Sequence, residues 1–165
     1  MDNKPAAANP QADMVEVKTI ELIGPALDWA VATLDGWQRE DIPLAQVWMH
    51  RGRDARGVRI TKPLYELRYS TDRNMGGLLI EQHRITTIAT ETWHSDVGYV
   101  PLWAASVGPH PYSASTEHVQ HDPRYQIEVS DTVTGPTPLI AALRCYVAAN
   151  LGKTVTVPAE LLACQ

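Results

Sequence analysis

Residues 135–152 read GPTPLIAALRCYVAANLG, and their order predicts a buried α-helix over residues 138–150. Thr137 is a natural N-cap, and Pro138 suits the first helical position, where the missing N–H costs nothing. Leucine, isoleucine, tyrosine and valine side chains then recur along one face, and Asn150 with Gly152 supplies the stop. Alanines on the flanks keep this helix slim, so we expect other elements to pack closely around it.

A second amphipathic segment lies nearer the N-terminus and predicts a helix over about residues 25–35. Its apolar residues recur at the spacing of one helical face: Leu27, Ala30, Val31 and Leu34. Pro25 suits the first turn, and Gly36 can take the left-handed C-terminal position. Residues 1–14 contain no apolar stripe, so we predict a disordered lead-in followed by a single domain over residues 15–165.

Short segments between the two helices favour β-strands, because they are rich in β-branched and aromatic residues and are separated by turn-forming residues. These segments are residues 47–49, 64–69, 78–80, 84–88, 102–105 and 124–129, with a further edge strand at Val155 and Val157. Strands and helices do not alternate along the chain, so we predict an α+β fold with a mainly antiparallel sheet packed against the two helices. Residues 38–62 and 106–123 are expected to form long irregular loops.

The composition of the 165-residue chain limits its partners. A formal net charge of −5 and a pI near 5.6 argue against nucleic acid as the default partner, so we expect no specific DNA binding. Two cysteines cannot form a disulfide framework, which favours a reducing cytosol. No apolar run reaches the roughly 20 residues that span a bilayer, and the first residues lack a signal-peptide pattern, so we expect no membrane partner.

Positive charge is nevertheless concentrated in one region. Between His50 and Arg84 lie eight basic and four acidic residues, so this region carries +4 and the remainder −9. An arginine cluster inside an acidic protein suits phosphate or carboxylate groups, because guanidinium forks bind such oxygens bidentately. The other interpretation is a solvated hairpin whose arginines keep the surface mixed, since charge runs are usually solvated faces.

Within this region, residues 69–77 read YSTDRNMGG and predict a glycine-rich loop. Such a loop can present backbone N–H groups to a ligand, or it can be a tight connection whose Asp72 caps its own backbone. The five tryptophans and six tyrosines suit half-buried interfaces and base-stacking pockets. His118 and His121 lie in a proline-rich loop without zinc-motif spacing, so we predict no metal and no cofactor. Cys145 is predicted to be a small buried hydrophobe rather than a nucleophile.

Three blocks stand out as a set: TIELIGPALDWAVA at residues 19–32, YSTD with the two glycines at 69–77 followed by Ile80 and Glu81, and GPTPLIAALRCYVA at 135–148. Together they resemble the phage protein NinX family, small proteins of tailed phages and prophages without an established activity. The resemblance covers residues 17 to about 162. It departs from the family at Arg73, where the family often has Trp, and at Leu78, where it often has Pro. The resemblance implies a phage accessory protein acting in the infected bacterial cytoplasm, and it implies no catalytic residues.

The polar residues of these blocks would form one site if they converge in the fold. That site would combine a carboxylate, hydroxyls, backbone amides and an aromatic platform, which suits a small anionic nucleotide-like ligand. The predicted ligand-binding residues are Asp28, Trp29, Arg68, Tyr69, Ser70, Thr71, Asp72, Arg73, Gly76, Gly77, Arg84 and Thr137. No catalytic constellation stands out, so no catalytic residue is predicted.

Three functions from different classes are compatible with these features. The leading hypothesis is a non-enzymatic phage accessory protein, a homo-oligomer that sequesters a nucleotide-like host anti-phage immune signal between its subunits. The first alternative is a protein–protein inhibitor or adaptor that docks on a host enzyme through Trp29, Trp37 and the loops. The second is a nucleotide hydrolase in which Asp72, Glu81 or the two histidines named above serve as bases or metal ligands.

Overall fold

The computed structural model describes residues 13–40, 49–107 and 133–163. Over these ranges the chain forms three α-helices: α1 (Gly24–Leu34), α2 (Arg73–Gln82) and α3 (Pro138–Leu151). The helices predicted at about 25–35 and at 138–150 are α1 and α3, whereas α2 is not predicted by the sequence pattern. Residues 1–12 of the predicted lead-in lie outside the described ranges, and Met14 already belongs to the first strand. The single domain over 15–165 stays a prediction.

Short strands accompany the helices in the described ranges: β1 (Met14–Lys18), β2 (Gln38–Glu40), β3 (Met49–Arg53), β4 (Arg59–Pro63), β5 (Ile85–His94), β6 (Gly98–Val107), β7 (Val133–Gly135) and β8 (Thr154–Pro158). They pair in three small antiparallel sheets, ordered β1-β8, β2-β3-β4 and β5-β6-β7. The α+β class with short strands is confirmed. The expectation of one main sheet is wrong, because the described strands divide into these three separate sheets.

Helix α3 lies at the centre of the core. Residues 141–147 are all buried, and the helix contacts α1, α2 and the β5-β6-β7 sheet. The Thr137 hydroxyl accepts a hydrogen bond from the Ile140 N–H at 3.2 Å, and Gly152 follows the helix with a φ of 95°. The predicted N-cap and stop of this helix are therefore confirmed.

Helix α2 replaces the predicted strand at residues 78–80 and the second half of the predicted glycine-rich loop, residues 73–77, whereas residues 69–72 form a turn. Asp72 is its N-cap and accepts a hydrogen bond from the Asn74 N–H at 2.8 Å. Gly76 and Gly77 lie inside the helix. The interpretation in which Asp72 caps its own backbone is confirmed, and the loop prediction is wrong only for residues 73–77, where this cap and the packing of α2 on α3 outweigh the cost of two glycines in a helix.

Two further expectations are corrected in the middle of the chain. The predicted strand at 64–69 is a 3-10 turn at Leu64–Glu66 followed by a second turn. In the described part of residues 38–62, the expected irregular loop carries the β2-β3-β4 sheet instead. The predicted strand at 124–129 and the loop residues 108–123 lie outside the described ranges.

Trp37 attaches the β2-β3-β4 sheet to the core. Its side chain is only 6% exposed and lies so close to Gly52 that a Cβ there would be 2.5 Å from the indole ring. The backbone N–H of Trp37 donates to the carbonyl of Ala32, near the end of α1, at 2.9 Å. Because the indole is buried, Trp37 does not offer the exposed docking surface that the protein-inhibitor hypothesis assigns to it. Trp29 is half-buried and packs against the same core.

Candidate functional site

The turn at residues 69–72 is fixed to helix α1 at two points. The Ser70 N–H donates to Oδ1 of Asp28 at 2.6 Å, and the Tyr69 hydroxyl donates to the carboxylate of Asp35, which follows the last residue of α1. Asp28 and Asp35 are seven residues apart, so they lie on the same side of the helix about two turns from each other. The turn therefore runs alongside α1.

Asp28 is a buried carboxyl with an altered proton affinity. Its side chain is 7% exposed, and burial raises its pKa to about 6, against the opposing effect of the Ser70 N–H. The nearby Ser70 hydroxyl also lowers the pKa of Asp28, but its oxygen has no hydrogen-bond partner among the described residues. Asp28 therefore gains and loses its proton in the folded protein near pH 6.

Burial, together with the nearby Asp35, raises the pKa of two phenols. Burial, followed by the hydrogen bond and charge of Asp35, raises the pKa of Tyr69 far above its usual range. Burial and the Asp35 charge also raise the pKa of Tyr146, whose ring centre lies 4.5 Å from that of His83. Both tyrosines stay protonated at neutral pH, so each keeps its O–H donor.

Gly76 allows α2 to sit against both the turn and α3. A Cβ at this position would overlap the Tyr69 carbonyl oxygen and lie 2.7 Å from Cδ1 of Leu139. Leu139 belongs to the first turn of α3, two residues after its N-cap Thr137. Gly77, in contrast, has open space around it. The fold therefore brings Asp28, Tyr69, Ser70 and Gly76 together, with the capped end of α3 beside them.

The other residues of the predicted site have different environments. Asp72 is engaged as the N-cap of α2, and the Arg68 carbonyl accepts hydrogen bonds from the Thr71 and Asp72 N–H groups. The arginines at positions 68, 73 and 84 are exposed, as is Thr71. The hydrogen bonds of this region stabilise the turn and the start of α2. Ligand binding by the twelve predicted residues stays a prediction.

A second region, the outer side of the β2-β3-β4 sheet, has more of the character of an anion site. Side chains directly opposite each other in a sheet point to the same side, and Gln38 faces Arg51, Arg51 faces Thr61, and Arg53 faces Arg59. All five residues are exposed, and we call this surface the arginine face. A cleft of about 220 Å³ opens on it and is lined by Gly36, Gln38, Arg51, Gly52, Arg53 and Arg59.

The lining of this cleft contains three arginines and no acidic residue among the described positions. The Arg53 guanidinium donates one N–H to the Gly57 carbonyl at 2.8 Å, and the Arg59 guanidinium makes no hydrogen bond or ion pair with the described residues. The neighbouring Asp54 accepts from the Arg56 and Val58 N–H groups, each at 2.9 Å. Like charges directly opposite in a sheet destabilise it. The Arg53–Arg59 pair therefore favours a bound anion.

The part of the chain that matches a known family includes both the turn at residues 69–72 and the arginine face. A family model described as "Bacteriophage P22, NinX" matches residues 18–150 of the 165-residue chain. The chain belongs to the NinX family. The resemblance carried by the three sequence blocks is therefore confirmed. Among curated proteins, none matches the chain.

Two buried polar side chains of this NinX-family chain lie on α3. The Arg144 guanidinium donates to the carbonyls of Leu22 at 2.7 Å and Thr134 at 2.9 Å, and burial lowers its pKa. Burial raises the pKa of Cys145 to about 11, so its thiol stays protonated. This agrees with the prediction that Cys145 is a small buried hydrophobic residue. Both side chains are buried in the core, and Arg144 links α3 to the backbone of two other segments.

Neither a metal cluster nor a spanning helix occurs in the described residues. Over these ranges no three His, Cys, Asp or Glu side chains come together as metal ligands, and His118 and His121 lie outside them. No described helix has the length and apolar character needed to cross a membrane.

Replacing Tyr69 by phenylalanine tests the attachment of the turn to α1. We expect the free energy of unfolding to fall by about 1.5 kcal/mol, because the variant loses the hydrogen bond to the Asp35 carboxylate. Urea denaturation followed by circular dichroism measures the change. Tyr65→Phe is the control, since Tyr65 is 62% exposed and should tolerate the loss of its hydroxyl without effect. Equal losses in the two variants would contradict this account.

Proposed function

We propose that this NinX-family protein is a phage accessory protein that binds a small phosphate-bearing, nucleotide-like ligand on the arginine face. The proposal rests on the cleft of about 220 Å³, whose lining includes Arg51, Arg53 and Arg59. The protein holds this ligand without turning it over. In the infected bacterial cytoplasm, such binding would deplete a host anti-phage signal.

The chemistry of the cleft supports an anionic ligand. A guanidinium presents its N–H groups in a planar fork that matches two phosphate oxygens, and three arginines line the cleft. Two acidic residues adjoin lining residues in the sequence, and both are engaged elsewhere: Asp35 accepts from the Tyr69 hydroxyl, and Asp54 accepts from the Arg56 and Val58 N–H groups. A bound phosphate would also relieve the repulsion between Arg53 and Arg59. The proposed site does not include the YSTD turn.

The size of the cleft supports binding of only part of a nucleotide. Pockets for drug-sized ligands have volumes of about 300–1,000 Å³, which exceeds the volume found here. The cleft would hold the phosphate groups, and a second copy of the chain would cover the remainder in a homo-oligomer. Native mass spectrometry with and without ligand tests this arrangement, and a strictly monomeric complex would contradict it.

The ligand proposal is tested by removing single charges from the same hairpin. We expect Arg59→Gln to weaken binding of nucleoside diphosphates, cyclic nucleotides or ADP-ribose by at least tenfold, because it removes one fork from the cleft. Calorimetry at constant ionic strength measures the affinities, and chromatography of the recovered ligand shows whether it is unchanged. Arg56→Gln is the matched control, since Arg56 pairs with Asp54 at 3.5 Å and does not line the cleft.

Two results would overturn the proposal. The first is the absence of heat with every ligand of the panel. The second is an equal loss of affinity in Arg56→Gln and Arg59→Gln, which would indicate nonspecific attraction to the basic hairpin. A stoichiometric host protein recovered from lysate, together with no response to small molecules, would favour the inhibitor hypothesis instead.

A further inference from the structure

We infer that strand β5 pairs with the β5 strand of a second copy of the chain, antiparallel across a two-fold axis, so that two sheets join into one. Among the described strands, β5 lies at the end of its sheet and pairs along all ten of its residues with β6. The outer edge of such a strand presents backbone N–H and C=O groups to another chain. This inference is independent of the ligand site, because the residues that line the cleft on the arginine face lie outside this sheet.

The sequence of β5 lacks the features that usually keep a sheet edge from pairing. Natural edge strands are often short, or they carry lysine or proline. Strand β5 reads ITTIATETWH, without lysine, arginine or proline, and Glu91 is its only acidic residue. The other end strands of the described sheets have three to five residues, and charged residues or proline occur in all of them except the three-residue β7. Strand β5 is therefore the described edge best suited to accept another strand.

The half of β5 nearest its turn would gain most from a partner. Strand β7 pairs with β6 only at Trp103–Ala105, which lie opposite residues 87–89 of β5. Beyond Ala89 the described sheet consists of β5 and β6 alone, and a two-stranded hairpin is only marginally stable in water. A β5 strand from a second copy, together with its own β6, would extend this part of the sheet to four strands.

The charge pattern of β5 is compatible with a second copy and favours one register. Residues directly opposite each other in a sheet share a side, so a two-fold axis pairs one residue of β5 with itself. A centre at Glu91 would place two carboxylates opposite each other, which is destabilising. A centre at Thr90 instead pairs residues 86–94, leaves the buried Ile85 outside, and places Glu91 opposite the partner's Ala89. Glu91 and Ala89 are both exposed, and in this register no like charges meet.

The length of the edge is sufficient for a specific dimer. Pairing of residues 86–94 with their copies would form about nine backbone hydrogen bonds, because an antiparallel pair forms about one for each paired residue. Interfaces contain about one hydrogen bond per 100–200 Å², so this number corresponds to roughly 900–1,800 Å² of buried surface. That range overlaps the roughly 1,200–2,000 Å² of stable interfaces. The shorter edges of the other described sheets would provide about half as many hydrogen bonds.

The test places opposite charges at one exposed position of the full chain. We expect Ala89→Glu to raise the dissociation constant of the dimer about tenfold, because the introduced carboxylate meets the partner's Glu91 twice by symmetry. Ala89→Lys should lower the dissociation constant, because an ammonium group meets the same carboxylate. The double variant Ala89→Glu with Glu91→Lys should return toward the wild-type value. Sedimentation equilibrium at low ionic strength measures the constants, and circular dichroism confirms that each variant is folded.

Hydrogen exchange provides a second measurement that depends on the backbone. We expect peptides covering residues 86–94 to exchange more slowly as the chain concentration rises, because pairing protects the outer N–H groups of β5. A wild-type chain that stays monomeric at the highest concentration tested would overturn the inference. So would a dimer that responds equally to Ala89→Glu and Ala89→Lys, or one whose formation leaves the exchange of residues 86–94 unchanged, because its interface would then lie elsewhere.

Discussion

Replacing Gly76 by alanine is expected to lower the free energy of unfolding by about 3 kcal/mol, near the upper end for overpacked cores. The added methyl group would overlap the Tyr69 carbonyl oxygen and lie 2.7 Å from Cδ1 of Leu139. The Leu139 side chain can rotate away, but the Tyr69 carbonyl belongs to a turn that Asp28 and Asp35 hold against α1. Helix α2 must therefore shift away from α1 and α3. Urea denaturation monitored by circular dichroism measures the loss.

The neighbouring glycine provides the control with the opposite sign. Gly77 lies in the same helix, and a Cβ at this position would have no heavy atom within 4 Å, so an alanine meets no neighbour. We expect Gly77→Ala to raise the free energy of unfolding by about 0.5–1 kcal/mol, because alanine loses less backbone entropy in a helix. Two changes of equal sign would show that helix propensity, rather than close approach at Gly76, governs this segment.

The helices with local start and stop signals could be predicted from the sequence. Thr137 and Gly152 mark the ends of α3 through hydrogen bonds and φ angles that depend on adjacent residues alone. The apolar spacing of α1 is equally local, because one helical face must meet the core. Both elements therefore appear in the structure within one residue of the predicted bounds.

Helix α2 could not be predicted because its stability depends on distant residues. Two adjacent glycines disfavour a helix, and only Gly76 and Leu79 of its ten residues are buried. Residue 76 is a glycine because a Cβ there would collide with Tyr69 and Leu139. Leu139 is more than sixty positions away along the chain. A local pattern contains no signal for that contact, so the segment has the pattern of a loop.

The arginine face can be predicted in composition but not in geometry. The local excess of positive charge between His50 and Arg84 is visible in the sequence. Which arginines share a side depends on strand register, and the pairing of Arg53 with Arg59 is set by the turn between β3 and β4. The same limit applies to Asp35, whose role as the acceptor of Tyr69 depends on tertiary packing.

The pH dependence of stability is expected to reveal the buried Asp28 carboxyl. Its pKa rises from 3.8 to about 6 on folding, so the folded state binds this proton more tightly than the unfolded chain does. The resulting stabilisation is complete below about pH 4 and is lost as the pH rises through 6. The shift corresponds to about 3 kcal/mol as an upper value, because each pKa unit equals about 1.4 kcal/mol.

The Asp28→Asn variant separates the destabilising effect of the buried charge from the stabilising hydrogen bond with the Ser70 N–H. The amide oxygen can still accept from the Ser70 N–H, but no ion is buried, so we expect the variant to be more stable than the wild type by about 2–3 kcal/mol at pH 7.5. At pH 4 the two proteins should unfold at nearly the same urea concentration. Glu81→Gln, the same chemical change at an exposed site on α2, should shift stability by no more than about 0.5 kcal/mol. An Asp28→Asn protein that is less stable at pH 7.5 would instead show that the folded state depends on the carboxylate, and hence that Asp28 is held as an ion by its neighbours.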